Sequence, residues 1–188
     1  AGRKPDPQTP VEAALASVAP QTLKGRHVLI SAGGTREPLD PVRYLGNRST
    51  GAMGVALAEQ ALARGAEVTV VHAHLEVPLP RGVVGIAVST SEEMLSAMME
   101  AQPANEIILM AAAVADWRSV EVSEQKIQKS DGLESWEPRL ERTRDILQAL
   151  VGAKRPGQMI VGFAAETDPD PEVRETTARK KLVSKQSD

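Results

Sequence analysis

Short apolar runs that alternate with helical segments constrain the fold of this chain more than any other feature. HVLISA (27–32) is a β-branched run, and EVTVVHA (67–73) repeats the pattern after a helix predicted over 51–64. Two such strands with a helix between them predict a β-α-β unit, in which the crossover is right-handed.

The same alternation continues to the end of the chain. Further strands and helices are predicted at VVGIAVS (83–89), SEEMLSAMMEA, EIILMAAAV (106–114), TRDILQALVG, QMIVGFAA (158–165) and DPEVRETTARKKLVSK. Ser91 is predicted to cap the second helix and Asp170 the last. Five strands alternating with helices predict an α/β protein with a Rossmann-like three-layer α/β/α fold and a mostly parallel sheet. Asp131-Gly132 adds a small hairpin insertion.

Composition and charge narrow the class of protein. Residues 25–188 are enough for one domain with a core, and residues 1–24, with four prolines, predict a linker or arm. The chain has no cysteine, which excludes disulfides, thiolate zinc sites and a cysteine nucleophile. A net charge of -3 argues against bulk nucleic-acid binding, and no apolar run reaches the roughly 18 residues of a membrane span. We therefore expect a soluble, cytoplasmic protein that binds neither nucleic acid nor membrane.

The stretch GNRSTGAMG (46–54) places glycines and hydroxyl groups at the start of the first predicted helix. In a doubly wound sheet, ligands bind beyond the carboxyl ends of the strands, near such helix N-termini. Gly51 and Gly54 would let the backbone approach a ligand closely. With Ser49 and Thr50, the unpaired N–H groups of the first turn predict a phosphate or carboxylate site. The alternative is a flexible loop whose glycines only permit the turn.

Two familiar nucleotide-binding motifs do not match this stretch. The GxxxxGK[ST] pattern finds glycines at Gly46 and Gly51, but Ala52 stands at the lysine position and Met53 at the hydroxyl position. The GxGxxG fingerprint is absent, and Tyr44, the only tyrosine, is not followed by the lysine of a YxxxK pair. These mismatches exclude an ATPase P-loop and weaken the case for hydride transfer.

Two later segments carry candidate binding residues. In MAAAVADWR (110–118), small residues after a buried strand would let a planar ring lie against the backbone. Asp116 could accept a hydrogen bond from an amino group or orient a cation, whereas tight packing is the alternative for the alanines. In EQKIQK (124–129), an extended chain would point Lys126 at a ligand while Ile127 anchors the segment. The alternative is a solvated lysine.

Lys181 and Lys185 lie one helical turn apart. Like charges at this spacing are mildly destabilising in an isolated helix, and an anion between them would reverse that penalty. A solvated basic face is the alternative. Glu37 and Asp40, on either side of Pro38, are predicted to shape a turn and not to act as an acid/base pair.

Taken together and in the same order, SAGGTREPLDPVRYLGNRSTGAMG, AAAVADWR, EQKIQK, VGFAAET and ARKKLVSKQSD resemble the blocks of phosphopantothenate-cysteine ligase. This family is the synthetase half of the bifunctional flavoprotein of bacterial coenzyme A synthesis. The resemblance implies CTP-dependent amide formation with Mg²⁺. The carboxylate of 4'-phosphopantothenate attacks the α-phosphate of CTP to give an acyl-cytidylate and pyrophosphate, and the amine of L-cysteine then displaces CMP.

The resemblance also implies roles for particular residues. Asn47 falls on the asparagine that holds the acyl-cytidylate for the second half-reaction, and its amide can both donate and accept hydrogen bonds. The predicted CTP-binding residues are Ser49, Gly51, Ala112, Ala113, Asp116, Lys126, Asp145, Ile146, Phe163, Lys181 and Lys185. No residue is predicted to be a protein ligand of a metal.

The sequence departs from the family pattern in three places. Ala52 replaces a lysine that the family commonly has in the first loop, and Thr143-Arg144 precede Asp145-Ile146 where the family often reads NPDI. The chain ends where the family continues into another strand, which predicts an incomplete C-terminus. The family implies a homodimer in the complete protein and a fused flavin-dependent decarboxylase half upstream. The alternatives are an NAD(P)-binding oxidoreductase and a nucleotide-binding module without turnover.

Overall fold

Strands and helices follow one another along the chain. The computed structural model describes residues 20–128, 135–185 and 188. In chain order the elements are β1 (His27–Ala32), β2 (Arg36–Pro38), β3 (Tyr44–Gly46), α1 (Ala52–Ala63), β4 (Glu67–His72), β5 (Val84–Ala87), α2 (Ser91–Ala101), a short 3₁₀ helix (Gln102–Ala104), β6 (Ile107–Met110), β7 (Trp117–Ser119), β8 (Leu140–Arg142), α3 (Ile146–Gly152), β9 (Met159–Gly162) and α4 (Pro171–Lys185).

Five of these strands form a parallel sheet in the order β5-β4-β1-β6-β9. β1 lies at the centre, where Leu29 is in register with Thr69 of β4 on one side and with Ile108 of β6 on the other. Numbered by their rank along the chain, the five strands have the order 3-2-1-4-5, which is that of a Rossmann-type sheet. The predicted Rossmann-like fold is confirmed.

Helices cover both faces of the sheet because its central strand is apolar on both. Val28 and Ile30 pack with Ala58 of α1 on one face. Leu29 points to the other face and packs with Met94 of α2. These side chains are almost completely buried, and burying one of the larger ones contributes about 1.5–3 kcal/mol. The sheet is therefore held between two helical layers, as predicted.

Helix α1 lies so close to β1 that only glycine fits at the contact. A methyl group at Gly54 would lie 2.6 Å from Cβ of Ala32. Gly51, which precedes the helix, has φ of 76°, a left-handed conformation that favours glycine. Gly54 was predicted to bring the backbone close to a ligand. It brings the helix close to the strand instead, and so sets the first turn of α1 beside the end of β1.

The prediction that Ser91 caps α2 is wrong by one residue, because Thr90 is the cap. Thr90 Oγ1 accepts a hydrogen bond from Glu93 N, and Glu93 Oε2 accepts one from Thr90 N, each at 3.2 Å. This capping box needs a glutamate three residues after the cap, which Thr90 has and Ser91 lacks. Ser91 N donates instead to the buried carboxylate of Glu37 at 2.8 Å.

Two antiparallel hairpins stand apart from the parallel sheet. β2 pairs with β3, and β7 pairs with β8. The predicted Asp131-Gly132 turn lies in the connection between β7 and β8, outside the described residues. A small hairpin insertion is thus present, although its strands are not those adjoining Asp131.

The folded unit includes the last residues of the predicted linker. Leu23 packs against the core beneath α1, and its N–H donates to Arg64 O at 2.9 Å. Gln21 Nε2 donates to Ala63 O at 3.0 Å. These contacts tie the chain that enters β1 to the end of α1. Within the part of the chain that the structure describes, no helix has the length and apolar character needed to cross a membrane.

Candidate functional site

The loops that follow β1, β4 and β6 meet at the carboxyl edge of the sheet. Gly34 exchanges two backbone hydrogen bonds with His74, each at 3.2 Å. Ala113 N donates to Gly33 O at 2.8 Å, and Ala113 O accepts from Thr35 N at 3.3 Å. In this strand order the connections leave β1 and β6 in opposite directions, which opens a crevice where ligands bind. The loops after β1, β4 and β6 therefore lie side by side at this crevice.

Two buried hydroxyl groups hold the alanine-rich loop after β6, and neither was predicted from the sequence. Ser31 Oγ accepts a hydrogen bond from Ala112 N at 3.1 Å, and Thr35 Oγ1 accepts one from Ala115 N at 2.8 Å. Both residues are buried. A serine inside an apolar strand and a threonine directly after two glycines are a readable signal, because a buried hydroxyl needs a partner.

A first cleft of about 650 Å³ opens at the N-terminus of α1. The predicted residues Asn47, Ser49 and Gly51 line it together with Arg36 and Arg48, which were not predicted. Ser49 Oγ accepts a hydrogen bond from Gly51 N at 3.3 Å, so this hydroxyl helps to shape the turn. Among the described residues neither arginine forms an ion pair with a carboxylate. Glu76 is the acidic residue of the lining, so the two arginines leave an excess of positive charge that suits an anionic ligand.

A second cleft, also of about 650 Å³, lies beyond the carboxyl ends of β6 and β9. Residues from the loop after β6, the start of α3, the end of β9 and α4 meet here although they are far apart in sequence. Six of the predicted CTP-binding residues line this cleft, namely Ala112, Asp116, Asp145, Ile146, Phe163 and Lys185. Thr143 and Arg144, where the sequence departs from the family pattern, line it as well.

Asp145 ties the second cleft to α4. Its Oδ1 accepts a hydrogen bond from Gln148 N at 2.9 Å and caps α3, while its Oδ2 accepts one from Lys185 Nζ. Burial raises the pKa of Asp145, but the Lys185 ammonium and the N–H groups of Gln148 and Leu147 outweigh burial and hold the pKa below its ordinary value. Asp145 is therefore a charged carboxylate at neutral pH.

The two lysines of α4 have different surroundings. Lys185 lines the second cleft, whereas Lys181 does not. Lys181 Nζ forms an ion pair with Glu166 Oε1 at 2.5 Å. The structure thus brings one of the two predicted lysines to the cleft and pairs the other with a carboxylate just beyond β9.

Asn47 joins the two clefts. It follows β3 and lines the first cleft, and its Nδ2 donates a hydrogen bond to the carbonyl oxygen of Val114 at 2.8 Å. Val114 lines the second cleft. This bond uses one of the two amide N–H groups, so the other N–H and the amide oxygen are additional bonding groups at the boundary between the clefts.

Besides Lys181, two more predicted residues lie outside both clefts. Lys126 is exposed, in a segment without regular secondary structure. Ala113 lies between the loops, where its backbone bonds to Gly33 and Thr35 as described above. The roles of these residues toward CTP, like those of the residues that line the clefts, stay predictions.

Comparisons with known proteins identify the family of this chain. The family model described as "DNA/pantothenate metabolism flavoprotein C-terminal domain" matches residues 23–188. The coenzyme A biosynthesis bifunctional protein CoaBC of Vibrio cholerae is 44% identical over 170 residues, which cover 90% of this chain and 42% of that protein. CoaBC of Bacillus subtilis is 41% identical over 191 residues, covering 100% of this chain and 45% of that protein. The chain spans less than half the length of these relatives.

A solved structure shows the same fold. The crystal structure of the C-terminal domain of a CoaBC protein superposes with a TM-score of 0.74 at 38% identity, covering 88% of this chain and 75% of that chain. The family match extends over both clefts and all of the predicted site residues. The chain therefore belongs to the family of the C-terminal domain of DNA/pantothenate metabolism flavoproteins.

Proposed function

We propose that this chain is a phosphopantothenate-cysteine ligase that uses CTP. The observation that carries the proposal is the bond from Asn47 to Val114, which joins a cationic cleft to a second cleft lined by six predicted CTP-binding residues. A ligase of this kind must bring an anionic acid and a nucleotide to one reacting centre. Two clefts that adjoin each other at the side chain of Asn47 satisfy that requirement.

We assign the second cleft to CTP and the first to 4'-phosphopantothenate, so Ser49 and Gly51, which the resemblance assigns to CTP, would contact the acid instead. Phe163 offers an aromatic side chain in the same cleft as Ala112, whose small size leaves room for a planar base. Arg36 and Arg48 offer positive charge to the phosphate of the acid. This assignment puts the carboxylate of the acid at the boundary with the nucleotide, where Asn47 lies.

The reaction proceeds in two steps at this boundary. A carboxylate oxygen of the acid bonds to the α-phosphorus of CTP while the bond to the bridging oxygen breaks, and pyrophosphate leaves. The amine of L-cysteine then attacks the acyl carbon, loses a proton, and expels CMP. Asn47 can donate to an oxygen of the acyl-cytidylate and accept from the incoming amine, so it would hold both partners in the second step.

The triphosphate needs cationic partners. Lys185 lies in the second cleft and Lys181 one turn away on the same helix. Each lysine already has a carboxylate partner, so the phosphates would have to replace Glu166 at Lys181 and Asp145 at Lys185. Charge-assisted bonds of this kind stabilise the negative charge that develops on the leaving pyrophosphate.

The residues of the second cleft fit a magnesium ion that binds with the nucleotide. Mg²⁺ bound to substrate phosphates takes only one or two protein carboxylates, and Asp116 and Asp145 put two hard oxygen donors at this cleft. Among the described residues, those of this cleft included, no three acidic or histidine side chains converge on one point. When bound, Mg²⁺ would neutralise charge on the triphosphate.

The relatives support further proposals about partners. CoaBC proteins are named bifunctional, and this chain matches less than half of each. We propose a fused flavin-dependent decarboxylase half upstream and a homodimer in the complete cytoplasmic protein. Both hairpins carry exposed apolar side chains that suit a subunit interface. These are Val42 and Tyr44 in the β2–β3 hairpin and Trp117 and Leu140 in the β7–β8 hairpin.

Pyrophosphate release tests the function directly. The purified chain is incubated with CTP, Mg²⁺ and 4'-phosphopantothenate, and L-cysteine is then added. We expect pyrophosphate before cysteine is present and the cysteine amide with CMP afterwards. CTP binding without pyrophosphate would favour the module without turnover, and binding of NADP in preference to CTP would favour the oxidoreductase.

A further inference from the structure

The turn between β2 and β3 is built around a buried carboxylate. Asp40 Oδ1 accepts hydrogen bonds from Val42 N at 2.8 Å and from Arg43 N at 2.7 Å. Leu39 N donates to Arg43 O at 2.9 Å and closes the turn. The Asp40 side chain has no exposed surface. The predicted role of Asp40 in shaping a turn is confirmed, but these contacts use only one of its two oxygens.

The second oxygen of Asp40 holds a distant segment. Asp40 Oδ2 accepts a hydrogen bond from Ile127 N at 3.1 Å and pairs with Arg43 Nε at 3.1 Å. Arg43 Nη2 donates to Ile127 O. The two side chains therefore clasp both polar backbone groups of one residue, which lies 87 positions from Asp40. We name this arrangement of Asp40, Arg43 and the Ile127 backbone the 40–43 clasp.

Residues 123–128 have no strand or helix to fix their path. Their backbone needs partners elsewhere, and the turn supplies them, because Ser123 N also donates to Leu39 O at 3.0 Å. Ile127 was predicted to anchor this segment, and it does so through its backbone. Lys126 is the neighbour of the clasped residue, so the clasp limits where its side chain can reach.

The same turn leads directly to Asn47. Arg43 is followed by β3 (Tyr44–Gly46) and then by Asn47, whose amide bonds to Val114. One rigid turn thus connects the residue at the boundary between the clefts with the segment that carries Lys126. A turn that served only the hairpin would not need a second buried carboxylate oxygen aimed at a chain so distant in sequence.

We propose that Asp40 and Arg43 are positioning residues. They hold Lys126 in a fixed place relative to Asn47 while the carboxylate of the acid attacks CTP. This inference rests on the proposed function. Neither residue lines a cleft, so both act through the backbone of Ile127. Lys126 is otherwise free to sample many positions, and the clasp limits them by fixing the backbone of the next residue, Ile127.

Amide hydrogen exchange measured by NMR tests the clasp without reference to catalysis. Asp40→Asn leaves one oxygen for Val42 and Arg43, but it places an NH₂ group opposite the N–H of Ile127. We expect the Ile127 amide to exchange about 10-fold faster or more, as befits the loss of a charge-assisted hydrogen bond. Arg43→Lys, which keeps the charge but loses the forked donor, is the second variant and should also speed this exchange. Glu93→Ala, which removes the capping box of α2, controls for general loss of stability.

Steady-state kinetics test the positioning role. Lys126→Ala should lower kcat/KM for CTP, and Asp40→Asn should lower it by about 10-fold because Lys126 is no longer held. The double variant Asp40→Asn with Lys126→Ala should have the same kcat/KM as Lys126→Ala, within about 2-fold. The reason is that the side chain that Asp40 is proposed to position is already absent. A purely structural role would make the two losses multiply.

The two proposals fail in different ways. If Ile127 exchange in Asp40→Asn rises no more than in Glu93→Ala, the clasp is refuted even if the chain is a ligase. If the losses multiply, Asp40 does not act through Lys126. If the unaltered chain releases no pyrophosphate from CTP, the proposed function is refuted, and the positioning role with it, whatever the exchange data show.

Discussion

Lys185 of α4 donates a hydrogen bond to Asp145, the residue that caps α3, so the lysine that lines the second cleft is held by a carboxylate of the same cleft. This pairing has two consequences. It fixes the end of a helix that buries none of its described residues, and a triphosphate bound as we propose would have to compete with Asp145 for the same ammonium group.

We predict that Lys185→Ala weakens CTP binding by about 10-fold to 100-fold, the range of a lost charge-assisted contact of about 1.5–3 kcal/mol. Isothermal titration calorimetry with CTP and Mg²⁺ measures it. Lys180→Ala, on the same helix and outside the cleft, is the matched control and should leave the affinity within about 2-fold. Equal losses in the two variants would show that only the net charge of the helix matters. Lys181→Ala is expected to fall between them, because its partner Glu166 lies outside the cleft lining.

Asn47→Asp should retain CTP binding and pyrophosphate release but stall amide formation. A carboxylate at this position cannot donate to Val114 O or to an oxygen of the acyl-cytidylate. Loss of one such donor typically costs about 10²- to 10³-fold in kcat. Rapid-quench analysis should show acyl-cytidylate accumulating after L-cysteine is added. A normal rate of product formation would remove Asn47 from the mechanism.

Gly54→Ala should destabilise the protein by about 1–3 kcal/mol, because the new methyl group would lie 2.6 Å from Ala32 Cβ and push α1 off the sheet. Gly152→Ala is the matched control, because a methyl group there would meet no atom within 4 Å and the residue is helical. We expect that control to be stabilised by about 0.5–1 kcal/mol. Urea unfolding followed by circular dichroism gives both values, and a neutral Gly54→Ala would mean that the helix moves away at little cost.

The stability that Asp40 provides should depend on pH. Burial raises the pKa of Asp40, but the N–H groups of Val42, Arg43 and Ile127 and the charge of Arg43 outweigh it, so the pKa lies below its ordinary value. A carboxyl group whose pKa is lowered by folding stabilises the native state above its unfolded pKa of about 3.9, and that contribution is lost as the pH falls through the folded pKa.

The unfolding free energy of the unaltered chain should therefore exceed that of Asp40→Asn at pH 7 and at pH 5. The gap should close as the pH falls below about 4. Urea unfolding of both proteins across this range measures it. A gap that stayed constant down to pH 3 would mean that the Asp40 charge contributes nothing and that shape alone matters.

The sequence alone determined the architecture and identified six of the residues that line the second cleft. Apolar runs such as 27–32 and 107–110 are typical of strands in a parallel sheet that helices cover on both faces, so the hydrophobic pattern was sufficient to predict the architecture. The order of the family blocks identified residues as far apart as Ala112 and Lys185, which the structure places in one cleft. The capping residue of α2 was missed by one position, because Thr90 and Ser91 have similar capping preferences and only the reach of Glu93 distinguishes them.

Only the tertiary structure decided which distant polar groups meet. Nothing local in the sequence pairs Asn47 with Val114, Asp40 with Ile127 or Lys181 with Glu166, because these contacts depend on how loops from different strands converge at one sheet edge. Hydrophobic periodicity involves residues that are close in sequence, so it can be detected without a structure. Hydrogen bonds between loops need atomic positions within a few tenths of an ångström, which the packed sheet and helices set together.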